Sequence, residues 1–221
     1  MFKRFYQKSF SQCGEDCIVN FLRNVLKIDP FSYLDIGAHH PFRMNNTASF
    51  YKMGYSGVLV EPDPTFYRLL KKSRKRDIVL NCGITPTHTN EKLTFFLIDP
   101  PSLNTFSRED AERYESMGHK IIKTIDIPCL TVTELIERYF PSQPTFVSID
   151  CEGLDVQILK SINFMKNRPG IISVETLEYR NDMKGEKNLE IPNIMDKAGY
   201  FAFSDTFINT IFLDRAKWKP V

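Results

Sequence analysis

Residues 33–41 run Tyr33-Leu34-Asp35-Ile36-Gly37-Ala38-His39-His40-Pro41. An apolar run of strand length carries an acid near its end and then breaks at a glycine. Glycine lets the backbone turn sharply and approach a ligand closely. Ligands of open α/β sheets bind at such carboxyl ends. A second apolar run, residues 57–61, closes on Glu61, about twenty-six positions after Asp35. An acid there can accept hydrogen bonds from both hydroxyls of a ribose. A glycine turn alone is often only a turn, and a strand-end acid alone is often only solvated. In this order and spacing the pair predicts a nucleoside site.

The nucleoside is narrowed by what the turn lacks. The dinucleotide fingerprint G-x-G-x-x-G is absent, since only Gly37 is present and Pro41 has no backbone donor for a pyrophosphate. A ligand without phosphate tolerates that loss. S-adenosylmethionine is one, and its ammonium needs an acceptor such as Asp35.

Outward from the turn, two kinds of element alternate. Residues 33–38, 57–61, 78–81, 145–150 and 170–175 read as buried parallel strands. Residues 17–26, 64–75, 132–140, 154–164 and 189–198 have helical spacing. Such alternation predicts a doubly wound α/β sheet. Residues 200–204 and 208–214, joined by a turn at Asp205 and Thr206, predict an antiparallel hairpin at the end. The span 84–144 is too long for one crossover. It holds strands at 92–98 and 121–129 around a polar helix, 107–117, capped by Ser107. We expect an insertion over the carboxyl edge of the sheet, forming a substrate wall or lid. Without repeats or linkers, residues 1–221 read as a single domain.

The chain has 221 residues and a net charge of +2, which gives no global drive toward nucleic acid or an anionic surface. The basic run 71–76 falls at a helix end and complements its dipole. Cys13, Cys17, Cys82, Cys129 and Cys151 form no C-x-x-C pair and read as reduced thiols, so a cytoplasmic location is expected. Residues 1–10 do not read as a signal peptide, and no apolar stretch is long enough to span a bilayer.

Several blocks stand in order over about residues 11–180: Ser11-Gln12-Cys13-Gly14-Glu15-Asp16, Asp35 through Pro41, Asn46-Thr47, Phe50-Tyr51, Gly54-Tyr55, Glu61-Pro62-Asp63-Pro64 and Asp150-Cys151-Glu152-Gly153. In these blocks the chain resembles the FkbM-type methyltransferases. The resemblance implies a class I methyltransferase (Rossmann-like) fold, a mostly parallel seven-stranded sheet with an antiparallel C-terminal hairpin strand. It implies S-adenosyl-L-methionine as cofactor and O-methylation of a small-molecule hydroxyl, on a sugar, glycan or natural-product precursor. It adds Gln12, Glu15, Ala38, Asn46, Thr47, Pro62 and Asp63 to Asp35, Gly37 and Glu61 as cofactor residues. Gly83 and Ile84, after the third strand, would flank adenine. Each block also has a plainer meaning. Residues 11–16 can start a helix, Asn46-Thr47 can cap the helix 48–53, and Cys82-Gly83-Ile84 can be an ordinary turn.

For chemistry the candidates are Asp150, His39 and His40. Asp150 ends the fourth strand, where a carboxylate can take the acceptor's proton. Asp150, Glu152 and Glu175 can instead orient substrate or hold a divalent metal through oxygen ligands, a reading we do not favour. The two histidines sit on the ligand turn and titrate near neutrality. His119 can enter from the insertion. Phe106, Arg108 and Tyr114 can stack on or clamp a sugar phosphate, or merely pack. Two other classes remain. A nicotinamide-dependent oxidoreductase or epimerase of the short-chain type uses a Tyr-x-x-x-Lys pair; Tyr67 to Lys71 has that spacing but falls too early in the chain, and the glycine fingerprint is missing. A non-catalytic nucleoside-binding module would not need the acids Asp35, Glu61, Asp150 and Glu152.

Overall fold

A computed structural model describes residues 7–151, 153–177 and 185–218. In chain order the first elements are α1 (Glu15–Val25), β1 (Ser32–Ile36), α2 (Ala48–Lys52), β2 (Ser56–Val60), α3 (Pro64–Ser73) and β3 (Ile78–Leu80). Next come β4 (Gly83–Ile84), β5 (Lys92–Asp99), a 3-10 turn (Pro101–Leu103), α4 (Arg108–Ser116), β6 (Lys120–Leu130) and α5 (Val132–Tyr139). The remainder is β7 (Phe146–Ile149), α6 (Asp155–Ser161), β8 (Ile171–Glu175), α7 (Glu190–Lys197), β9 (Tyr200–Asp205) and β10 (Asn209–Asp214).

Seven strands form one sheet in the order β3-β2-β1-β7-β8-β10-β9. Every neighbouring pair is parallel except those made by β10, which runs antiparallel to both β8 and β9. The expected doubly wound sheet and C-terminal hairpin are therefore present. Strand order reverses between β1 and β7, the switch point at which such sheets open a crevice.

Side-chain alternation along β1 explains the two-faced core. Leu34 and Ile36 join one cluster with Val132, Leu135 and Ile136 of α5, Ile158 and Leu159 of α6, and Ile191 and Met195 of α7. Tyr33 joins the opposite cluster with Val19 and Leu22 of α1, Phe50 of α2 and Leu70 of α3. Asp35, two positions after Tyr33, must point to that second face too. Burial on both faces is why these strands read as unbroken apolar runs.

The span 84–144 builds a second, three-stranded sheet, β4-β6-β5, with its own small core of Phe96, Ile98, Leu103, Ala111 and Tyr114. Ser107 caps α4 as expected, accepting from the Asp110 N–H at 3.1 Å. The Thr131–Glu134 capping box starts α5 and returns the chain to the main sheet.

Candidate active site

The ligand turn is built from β1 and β2 together. The N–H groups of Gly37 and Ala38 both donate to the Val60 carbonyl, at 3.0 and 3.1 Å. Gly37 has φ +80°, and a Cβ there would strike the Asp150 carbonyl oxygen. Both the conformation and the close approach therefore require glycine. His39 follows with φ 48°, unusual for a side-chain-bearing residue, and its N–H donates to Glu61 Oε2 at 2.7 Å. The Asp63 N–H donates to Glu61 Oε1 at 2.8 Å. Burial nevertheless outweighs these two donors and pushes the Glu61 carboxyl up to about 8.

Below this turn lies a buried polar network that sequence reading did not foresee. Arg74 has no exposed surface. It pairs with Asp77 at 2.7 Å and donates to the Pro41 carbonyl at 3.1 Å, Asn45 Oδ1 at 3.3 Å, the Tyr33 hydroxyl at 3.2 Å and Thr47 Oγ1 at 3.1 Å. Asp35 Oδ2 accepts from Thr47 Oγ1 at 2.7 Å and from Asn45 Nδ2 at 3.1 Å. The basic run 71–76 is expected at a helix end, complementing its dipole. Lys71 and Lys72 do lie in the last turn of α3, but Arg74 turns inward. Its signal was present: Phe66, Leu70 and Arg74 recur at four-residue spacing on the apolar stripe.

A cavity of about 560 Å³ opens above the turn, at the carboxyl ends of β1, β2, β7 and β8. Its size is that of a small-molecule site. Of the expected site residues, Gln12, Gly37, His39, His40, Glu61, Pro62, Gly83, Ile84, Asp150 and Glu175 line it. Glu15, Asp35, Ala38, Asn46, Thr47 and Asp63 do not, and Glu152 lies outside the described residues. The side chains of the second group are engaged elsewhere. Glu15 holds the hairpin turn, accepting from Thr206 Oγ1 at 2.7 Å and Asn209 Nδ2 at 3.1 Å. Asn46 donates to Ser148 Oγ at 3.0 Å. Thr47 stands at the N-cap of α2 but spends its hydroxyl on Asp35 rather than on capping. Asp63 caps α3 with one oxygen and accepts from Asn104 Nδ2 with the other, at 3.1 Å.

Asp150 ends β7 beside Gly37, and its Oδ1 is buried without a hydrogen-bond partner. The β7–β8 register, Ile149 opposite Val174, brings Glu175 alongside it. Burial first, and then the neighbouring Asp155 carboxylate, hold the Asp150 carboxyl well above the ordinary range, while the hydrogen bond with Glu175 opposes them. His39 packs its ring on Phe66, with centroids 3.8 Å apart, and burial lowers its pKa. His40 Nδ1 accepts the N–H groups of Phe42 and Arg43 at 3.2 and 3.1 Å. Neutral His40 therefore carries its proton on Nε2. The free nitrogen of the neutral ring is then a hydrogen-bond donor, on a residue that lines the cavity.

The insertion supplies the roof, residues 100–106, most of which sequence reading left unassigned. Asn104 pins it, accepting the Ile98 N–H at 2.7 Å while donating to Asp63. Phe106 packs on Phe95, centroids 4.6 Å apart, and on Gly83, where a Cβ would collide with its ring. Tyr114 is instead buried in the insertion's core with His119 against it, and exposed Arg108 lies over Phe96. None of those three lines the cavity. Among the described residues no group of His, Cys, Asp and Glu has metal-ligating geometry. No described helix is long and apolar enough to cross a membrane.

The methyltransferase FkbM domain profile matches residues 35–202. No curated protein matches the sequence. Among solved structures, similarity extends to a TehB-like SAM-dependent methyltransferase from Corynebacterium glutamicum, at 11% identity and TM-score 0.45, covering 91% of this chain and 88% of that one. It extends also to an O-methyltransferase from Bacillus cereus in complex with SAH (10% identity, TM-score 0.43, 91% and 80% covered). The third is the 1,6-didemethyltoxoflavin-N1-methyltransferase of Burkholderia thailandensis (12%, 0.42, 90% and 74%).

Proposed function

The chain belongs to the FkbM methyltransferase family and is a SAM-dependent methyltransferase; on that premise we propose that it methylates a hydroxyl oxygen of a small, carbohydrate-type acceptor, with Asp150 as the proton acceptor. The residues present fit the cofactor. Glu61 faces the cavity with each oxygen holding one backbone donor, which leaves lone pairs for a ribose diol. The turn at Gly37 carries no G-x-G-x-x-G phosphate fingerprint, a loss that a phosphate-free ligand tolerates. Gly37, Glu61, Pro62, Gly83 and Ile84 would hold it, with Gln12 at the exposed side. When bound, S-adenosylmethionine supplies an electrophilic methyl on a positively charged sulfur.

What the chain itself must do is align an oxygen and remove its proton. Asp150 carries this proposal, because the residue lines a ligand-sized cavity at the end of β7 and its buried Oδ1 has no hydrogen-bond partner. A carboxyl raised toward neutrality is matched to taking a hydroxyl proton near physiological pH. Its hydrogen bond with Glu175 fixes the orientation. His39 is the weaker candidate, since burial lowers its pKa and its ring is packed on Phe66. A general base contributes roughly 10²–10⁴-fold. Asp150→Asn should therefore lower turnover on the true acceptor by about that factor while adenosylhomocysteine still binds. Full turnover in that variant would remove Asp150 from the role.

A further inference from the structure

The cavity is polarised along its depth. Glu61, Asp150 and Glu175 lie at its inner end, on the strand ends. The mouth is formed by the exposed residues Gln12, Arg43, Met44, Pro101 and Ser102, and among the described residues it contains no carboxylate. Arg43 is the one arginine or lysine lining the cavity among the described residues, and its side chain makes no hydrogen bond or ion pair there. Among the described residues other arginines are held in ion pairs: Arg74 with Asp77, Arg113 with Asp110, Arg138 with Glu134, Arg168 with Asp214 and Arg215 with Asp196.

The loop that carries Arg43 is held rather than loose. His39 and Met44 flank it with φ 48° and 51°, conformations that persist only when the surroundings impose them. Those surroundings are the Arg74 contact to the Pro41 carbonyl, the Asn45 N–H bonded to the Phe10 carbonyl at 3.0 Å, and the His40 ring capping the turn. The same capping leaves His40 Nε2–H as a second donor beside Arg43.

We propose that the acceptor carries an oxyanion, a carboxylate or phosphate, which Arg43 and His40 receive at the cavity mouth while its reacting hydroxyl reaches Asp150. This rests on the methyltransferase reading above and adds the chemical class of its substrate. The cofactor's own carboxylate fits the mouth less well. Its ammonium sits on the same carbon, and the described residues of the mouth offer that ammonium a cation and no carboxylate.

The test is calorimetry with protein saturated in adenosylhomocysteine, titrated with glucose, glucuronate, glucose 6-phosphate and inorganic phosphate. An acidic sugar should bind at least about tenfold more tightly than glucose, as a charge-assisted contact to guanidinium would give. Whether glucuronate or glucose 6-phosphate gains more identifies carboxylate or phosphate as the anion. In Arg43→Gln the preference should collapse while adenosylhomocysteine affinity stays within about threefold. Arg68→Gln, an exposed arginine on α3 outside the cavity, should leave the preference intact. Equal binding of glucose and the acidic sugars, or binding of none, would overturn the proposal and leave the methyltransferase reading standing. So would loss of adenosylhomocysteine affinity in Arg43→Gln with the preference retained, because Arg43 would then serve the cofactor. Failure of the wild-type protein to bind adenosylhomocysteine would instead count against the reading on which the proposal rests.

Discussion

Glu61 shows how much a single carboxyl can report. Burial holds its pKa near 8, so in the ligand-free protein at pH 7 it is mostly protonated. The folded state binds this proton more tightly than the unfolded chain, whose group titrates near 4.5. Its contribution to stability is therefore full below about pH 4.5 and is lost as pH rises through about 8. Ligand binding runs the other way. A ribose diol donates to the carboxylate form, so adenosylhomocysteine affinity should rise between about pH 6.5 and 9, by at most about tenfold per pH unit. In Glu61→Gln that rise should vanish, as calorimetry across the same range would reveal. Asp35 teaches the opposite lesson about strand-end acids. It stands two residues before the glycine, yet the alternation of β1 sends it to the Tyr33 face, under the turn. Both acids read in sequence as facing the ligand, because spacing gives the end of a strand and not which face each residue serves.

At the level of elements, periodicity carried most of the architecture. The five core strands, the helices between them and the final hairpin all stand within a few residues of their expected positions. Both insertion strands and the Ser107-capped helix were also legible. The roof 100–106 was not, because it has no regular period and is held by particular bonds such as that from Asn104 to Asp63. Arg74 escaped because its neighbours Lys71, Lys72, Lys75 and Arg76 mask it in composition. Its burial joins α3 to β1 and to the loop before α2. Arg74→Met leaves Asp77 buried without its partner, so it should cost about 3–5 kcal/mol. In a chain of this size that lowers the melting temperature by roughly 10 °C. Arg138→Met, which breaks the surface pair with Glu134, should cost no more than about 1 kcal/mol. Urea denaturation of the two variants makes the comparison, and equal losses would mean that the buried network does not hold these elements together.

On the scale of the whole molecule, the sheet reversal between β1 and β7 explains why one crevice gathers residues that are far apart in sequence. Gly37 and Asp150 touch because β1 and β7 are neighbours, and Glu175 joins them through β8. The insertion closes the same crevice from above. We propose that this crevice holds S-adenosylmethionine with Glu61 on its ribose. Isothermal titration with adenosylhomocysteine and with NAD tests it most directly, using wild-type protein and Glu61→Ala with its fold checked by circular dichroism. Wild type should bind one equivalent of adenosylhomocysteine, Glu61→Ala should bind it at least about tenfold more weakly, and NAD should not bind. Unchanged adenosylhomocysteine affinity in a folded Glu61→Ala protein, or preferential binding of NAD, would contradict it.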